Sequence, residues 1–186
     1  MNRLTYGVLA LMMVVLIPAC GTQKKAAETS IAAAQTVYDQ IKEQAMRLAP
    51  DEAKVIEDAI AAARADVKKG DFEAAIEGTK DLPTKAKELN DGLPAKSAEL
   101  KAAWTSLNAT LPGAVTTLNK KMAPMNKARF AAAKADLADL NTMWAEAQTA
   151  MQGGRLAEAV TKAGEVKAGV VQLMTEMKMP VPKALR

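Results

Sequence analysis

Cys20 carries the only thiol of the chain, and a thiolate is the side chain best suited to attack an electrophile or accept a covalent group. No histidine accompanies it anywhere. That removes the commonest general base, the commonest metal ligand and the usual axial ligand of haem. Gly153-Gly154 follows a helical pattern and lacks the surroundings of a phosphate-binding loop, and no Gly-x-Ser-x-Gly elbow occurs. Carboxylate pairs such as Asp51/Glu52 and Glu57/Asp58 read as solvated helix faces. Thioether sulfur is the chemistry that remains. Met122 and Met125 flank Pro124, and Met174, Met177 and Met179 cluster near the C-terminus. Such soft ligands prefer Cu(I) or Ag(I). Helical spacing also places Met174 and Met177 on one face, where methionine is an adaptable core filler, and this second reading is preferred. The expectation is a protein without catalytic residues, cofactor or metal.

The residues before Cys20 give its thiol a use. Arg3 supplies positive charge, Val8 to Ile17 form an apolar run too short to span a bilayer comfortably, and Ile17-Pro18-Ala19-Cys20-Gly21 closes it. This order resembles the lipobox of bacterial lipoproteins, with Pro18 an uncommon choice and the small Ala19 and Gly21 well suited. The resemblance implies that the thiol takes a diacylglycerol, that the chain is cut before Cys20, and that the new amine is acylated. An ordinary signal peptide or an N-terminal anchor helix is the alternative. Residues 1–19 then form the signal peptide, residues 20–27 a small polar tether, and residues 28–186 one helical domain. Each buried acyl methylene contributes about 0.8 kcal/mol, so three chains hold a protein permanently. Gly21 rather than Asp follows the cysteine, which in the enterobacterial rule implies an outer-membrane protein facing the periplasm. That compartment disfavours nucleic acid as a partner. It also leaves no disulfide to brace the fold, because the single thiol is consumed.

Positioning falls to helices. Alanine is abundant and aromatic residues make up 3% of the chain, too little β-branched and aromatic material for a sheet. Ile31, Ala34, Tyr38, Ile41, Ala45 and Leu48 trace one face of a first helix, with Thr29 or Ser30 available as its cap. Pro50 opens a second helix, with Asp51 and Glu52 near its positive end and Ala53, Ile56, Ile60, Ala63 and Val67 as its stripe. Lys68-Lys69-Gly70-Asp71 punctuates the chain with a left-handed cap followed by a new N-cap. Pro83, Pro94, Pro112 and Pro124 are expected to kink or stop the helices they meet. A long helix is predicted from about Lys127 to Gln152, with Phe130 and Trp144 as core anchors, then a last one after Gly153-Gly154. The fold class is all-α, a bundle of about six amphipathic helices built from hairpins.

Two of those hairpins look alike. A shift of 84 residues lays Gly70 on Gly154, Ala75 on Ala159, Ile56 on Leu140, Ile60 on Trp144 and Ala63 on Ala147. Duplication is one explanation, and the mutual likeness of Ala-rich helices is the other. Gly70-Asp71-Phe72-Glu73-Ala74-Ala75-Ile76 also resembles the turn and second-helix start of a tetratricopeptide repeat. A true array recurs every 34 residues, and nothing comparable stands at that spacing from Gly70.

Charge is uneven. From Gly92 to Lys134 seven basic residues face the single acid Glu99, whereas the preceding segment is acidic. Lys120, Lys121, Lys127 and Arg129 form a candidate interaction patch for an acidic partner or anionic headgroups. Neutralisation of the acidic first half is the plainer account. The functional expectation is a lipid-anchored envelope protein that contacts the membrane through Cys20 and serves a non-catalytic structural or adaptor role toward another envelope protein. Methionine-based Cu(I) handling, and an envelope hydrolase or its activator, are the alternatives.

Overall fold

In the computed structural model, the backbone is described for residues 17–125 and 130–186. All regular structure among them is helical: α1 (Ile17–Leu48), α2 (Pro50–Lys69), α3 (Phe72–Thr79), α4 (Leu82–Met122), α5 (Ala131–Gln152), α6 (Leu156–Glu176) and a short 3-10 turn (Lys183–Leu185). The all-α class follows from composition and periodicity as expected. The chain divides into two compact units, one of Met1–Ala45 with Asp51–Asp91, the other of Met46–Pro50 with Gly92–Arg186.

α1 begins well before its expected cap. Residues 20–27, read as a tether, are already helical, because Gln23, Lys24, Lys25, Ala26 and Ala27 are all good helix formers. Ala27 is fully buried. Thr29 and Ser30 therefore sit inside the helix rather than at its start. The Thr29 hydroxyl donates to the Lys25 carbonyl at 2.8 Å, and Ser30 Oγ lies 2.7 Å from Thr79 Oγ1.

In the first unit α1 and α2 run antiparallel in a fixed register. Lys42 Nζ meets Glu57 Oε1 at 2.7 Å, and seven residues back on α1, seven forward on α2, Arg64 Nη2 donates to Gln35 Oε1 at 3.2 Å. Ala34, Tyr38, Ile56, Ile60 and Ala63 are buried. Each large apolar side chain so buried contributes about 1.5–3 kcal/mol. The Gly70 turn follows, and Asp71 caps α3 by accepting from the Ala74 amide at 3.1 Å. α3 stops at Thr79 because Pro83 has no N–H for that residue's carbonyl. The Thr79 hydroxyl, fully buried, bonds the Ala75 carbonyl at 2.8 Å.

Of the kink or stop expected at Pro94 and Pro112, the stop does not occur. Both lie inside α4. Each frees the carbonyl four residues earlier, at Asn90 and Asn108, and all four residues are exposed, so the vacated acceptor lies within reach of solvent. The proline at an exposed position thus removes one hydrogen bond without burying an orphan.

The second unit is built around one apolar cluster that includes Leu111, Leu118, Met122, Leu140, Trp144, Val166, Val170 and Met174, with Leu185 of the 3-10 turn joining it. Trp104 of α4 stacks on Trp144 of α5, centroids 5.6 Å apart and planes 13° from parallel. Sequence separation hid this pairing. Phe130 is only partly buried and stands at the N-cap of α5 rather than inside it. α5 and α6 approach closely enough that a Cβ on Gly169 would run into the Leu140 side chain.

The shift of 84 residues extends further than the hairpin. Ala27, Ile31, Ala34 and Tyr38 of α1 fall on Leu111, Val115, Leu118 and Met122, and all eight are buried. Ile56, Ile60, Ala63, Ala75 and Leu82 fall on Leu140, Trp144, Ala147, Ala159 and Val166, again all buried. The turns agree as well. Gly70 and Gly154 have φ of 85° and 74°. The amides after them, on Asp71 and Arg155, bond the carbonyls of Asp66 and Ala150, each at 2.9 Å, the long bond of a Schellman cap.

Candidate functional site

The sequence-predicted residues fall in three places. Cys20 lies in the first turn of α1. Lys120 and Lys121 occupy the last turn of α4, where cations complement the negative end of the helix dipole, and both are exposed. Lys127 and Arg129 lie outside the described residues, so the four-residue patch is placed only in half. Of the methionines singled out, Met122 and Met174 are buried in the apolar cluster, Met177 and Met179 are partly buried against it, and Met125 is partly buried. Core filling accounts for their positions. No group of three or more His, Cys, Asp or Glu able to hold a metal occurs among the described residues.

The most developed polar arrangement is one that sequence reading missed. It lies on the α1–α2 seam of the first unit, in a hollow of about 230 Å³ lined by Gln35, Tyr38, Lys42, Glu57 and Arg64. Tyr38 is 1% exposed, and its hydroxyl lies beside the Glu57 carboxylate, outside strict hydrogen-bonding geometry. Burial first, then the negative charge of Glu57 and the hydrogen bonding of its carboxylate to the hydroxyl, push this phenol up to about 12. The Lys42 ammonium lies 6.0 Å from the Tyr38 ring centroid. Its hydrogen bond to Glu57 raises its own pKa. Asp39 accepts from Gln35 Nε2 at 2.6 Å, which orients the amide so that its oxygen faces Arg64.

Those protonation states limit the chemistry. At neutral pH the phenol and the ammonium both keep their protons, so the hollow offers hydrogen-bond donors rather than a general base. Recognition fits it better than proton transfer. A signal was present in the sequence. Tyrosine in an otherwise aliphatic stripe needs a partner for its hydroxyl, and Asp39 and Lys42 flank it on the same helix.

Immediately beside this hollow lies a second, of about 370 Å³, lined by Glu28, Ile31, Ala32, Arg64, Val67 and Lys68. Arg64 belongs to both. In the second unit the corresponding place also holds a hollow, lined by Asn119, Met122 and Asn141 among others, residues that stand 84 after Gln35, Tyr38 and Glu57. There the phenol is replaced by a thioether and the carboxylate by an amide. The residue corresponding to Arg64 is Gln148.

No helix among the described residues is long and apolar enough to cross a membrane. Comparison with protein-family models, with curated proteins and with solved structures finds no match to this chain.

Proposed function

We propose that this is a bacterial envelope lipoprotein, anchored through acylated Cys20 at the outer membrane and facing the periplasm, whose helical body acts as a structural or adaptor module. The observation that carries the reading is the order of Arg3, the apolar run, and Ala19-Cys20-Gly21. The absence of histidine, of a second cysteine and of a Gly-x-Ser-x-Gly elbow supports a non-catalytic role. In this reading the acyl chains hang from Cys20, the first residue left of α1 after cleavage, and the seven residues onward to buried Ala27 span about 10 Å as helix. The body is thus carried close to the bilayer on a stiff stem. The two units, alike in buried positions and in turn geometry, are copies of one helical module in the same reading. The exposed Lys120 and Lys121 are part of the face that meets an envelope protein.

Fractionation of cells making the wild type and Cys20→Ser tests the anchor. The wild type is expected in the outer-membrane fraction at the size of the processed chain, and the variant as a longer precursor. A Cys20→Ser protein that is processed normally and stays in the outer membrane contradicts the proposal.

A further inference from the structure

We propose that the hollow between α4 and α5 of the second unit binds the headgroup of an anionic phospholipid, its phosphate on Lys134 and the first methylenes of an acyl chain on the apolar floor. The hollow measures about 450 Å³, about twice the 230 Å³ of its counterpart on the α1–α2 seam, and lies within the range of small-molecule sites. Met122, Leu137 and Ala138 supply the floor, and Asn119, Asn141 and Lys134 the polar groups. No carboxylate is among the described residues that line it. Lys134 is half-buried, and the residues three and four away from it are Phe130, Ala131, Leu137 and Ala138, so its own helix offers no acid. Lys134 makes no ion pair among the described residues. Asn141 donates to the Leu137 carbonyl at 2.8 Å, which fixes its amide at the rim.

The fold does not by itself demand this charge pattern. In the first unit the corresponding hollow holds a closed ion pair, Lys42 with Glu57 at 2.7 Å. Eighty-four residues on, Lys42 becomes Asn126, Glu57 becomes Asn141, Asp39 becomes Ala123 and Pro50 becomes Lys134. The pair is lost, and one cation without a counter-charge takes its place. No acid occurs from Leu100 to Ala135, and the exposed Lys120 and Lys121 in the last turn of α4 extend the positive field around the hollow. A phosphodiester carries a single negative charge and several acceptor oxygens, which suits one ammonium and two carboxamides. The apolar floor favours a phosphate that bears hydrocarbon over free phosphate. The choice of a phospholipid as its source rests on the membrane-anchored reading, whereas the chemistry of the hollow does not.

The test uses the full chain in an uncharged detergent and phosphatidylglycerol carrying a photoreactive diazirine on one acyl chain, close to the head. After illumination, the labelled peptides are mapped by mass spectrometry. Saturable labelling of the segments containing Met122 and Leu137 is expected. It should fall at least tenfold when the probe carries a phosphocholine head instead, and with Lys134→Gln, whereas Lys134→Arg should keep most of it. Unlabelled phosphatidylglycerol should compete at least tenfold better than inorganic phosphate. Lys68→Gln, beside a hollow of the first unit, should leave labelling unchanged. Circular dichroism of the variants confirms that each remains helical. The measurement is made in detergent, so it gives the same answer whether or not Cys20 is acylated, and failure of the anchor is read separately. Equal labelling by the phosphocholine probe, insensitivity to Lys134→Gln in a folded variant, equal competition by inorganic phosphate, or label spread along the chain without saturation overturns the proposal.

Discussion

Gly70 and Gly154 stand 84 residues apart and occupy the same position of the same turn, each with a positive φ and each followed by an amide that bonds back to the carbonyl five residues earlier. A third helix end does the same with a residue that is poorly suited to it. Lys178 adopts φ 53°, and the Met179 amide bonds the Met174 carbonyl at 2.8 Å. The left-handed conformation costs an L-residue roughly 1–2 kcal/mol, whereas glycine enters it freely.

Gly70→Ala and Gly154→Ala are each expected to lower stability by about 1 kcal/mol. Lys178→Gly should raise it by less than about 1 kcal/mol, since relieved strain is partly offset by glycine's larger unfolded-state entropy. Urea unfolding followed by circular dichroism checks all three, and a stabilising glycine-to-alanine change would contradict the turn geometry.

The stacked pair Trp104 and Trp144 gives a second test. Trp144, 9% exposed, should lose roughly 3–5 kcal/mol on truncation to Ala. Trp104 is less buried and should lose less. A double-mutant cycle should return a coupling of about 0.5–1.5 kcal/mol. Coupling near zero would mean that the rings do not stack in solution.

Tyr38 supplies a prediction with a sign. Its phenol is pushed up to about 12 by burial and by Glu57, above the ordinary value near 10. Above pH 10 the unfolded chain releases this proton while the folded chain keeps it, so the stability due to the protonated phenol is full below pH 10 and is lost as pH rises through 12. Tyr38→Phe removes both the buried hydroxyl, imperfectly placed for its hydrogen bond to Glu57, and that titration. The variant should be at least as stable as wild type at pH 7 and should lose less stability between pH 10 and 12. Thermal unfolding across that range compares the two. A strongly destabilised Tyr38→Phe would show that the hydroxyl's bond to Glu57 is a strong one.

Much of this molecule was legible in its sequence, for identifiable reasons. The α2 boundaries could be read because Pro50, the acids after it and Lys68-Lys69-Gly70-Asp71 are strong local signals. The early start of α1 was not, since a run of small polar residues suits a tether or a helix, and burial of Ala27 decides for the helix. Whether Pro94 and Pro112 would stop α4 was not legible either, because proline stops a helix only when the freed carbonyl has nowhere to go, and exposure is a tertiary fact. Of the site, Cys20 and its surroundings were local. The cluster around Tyr38 was not, because Glu57 and Arg64 reach it only through the pairing of α1 with α2.

If the basic residues at and beyond the end of α4 serve an adaptor role, neutralising Lys120, Lys121, Lys127 and Arg129 together should weaken capture of a crosslinked envelope partner, most at low salt. Exposed substitutions of this kind change stability by under about half a kcal/mol. Crosslinking of intact envelopes followed by affinity purification measures the first, and urea unfolding the second. Unchanged recovery of the partner at low salt would remove these residues from the interface.

The lipid anchor itself is tested most directly by mass spectrometry of the N-terminal peptide from the membrane-bound protein. The account predicts a peptide that begins at Cys20, with diacylglycerol in thioether linkage on Sγ and a third acyl chain on the α-amine. A chain that begins at Met1, or at any residue after cleavage elsewhere, with an unmodified Cys20 thiol or none, would contradict it.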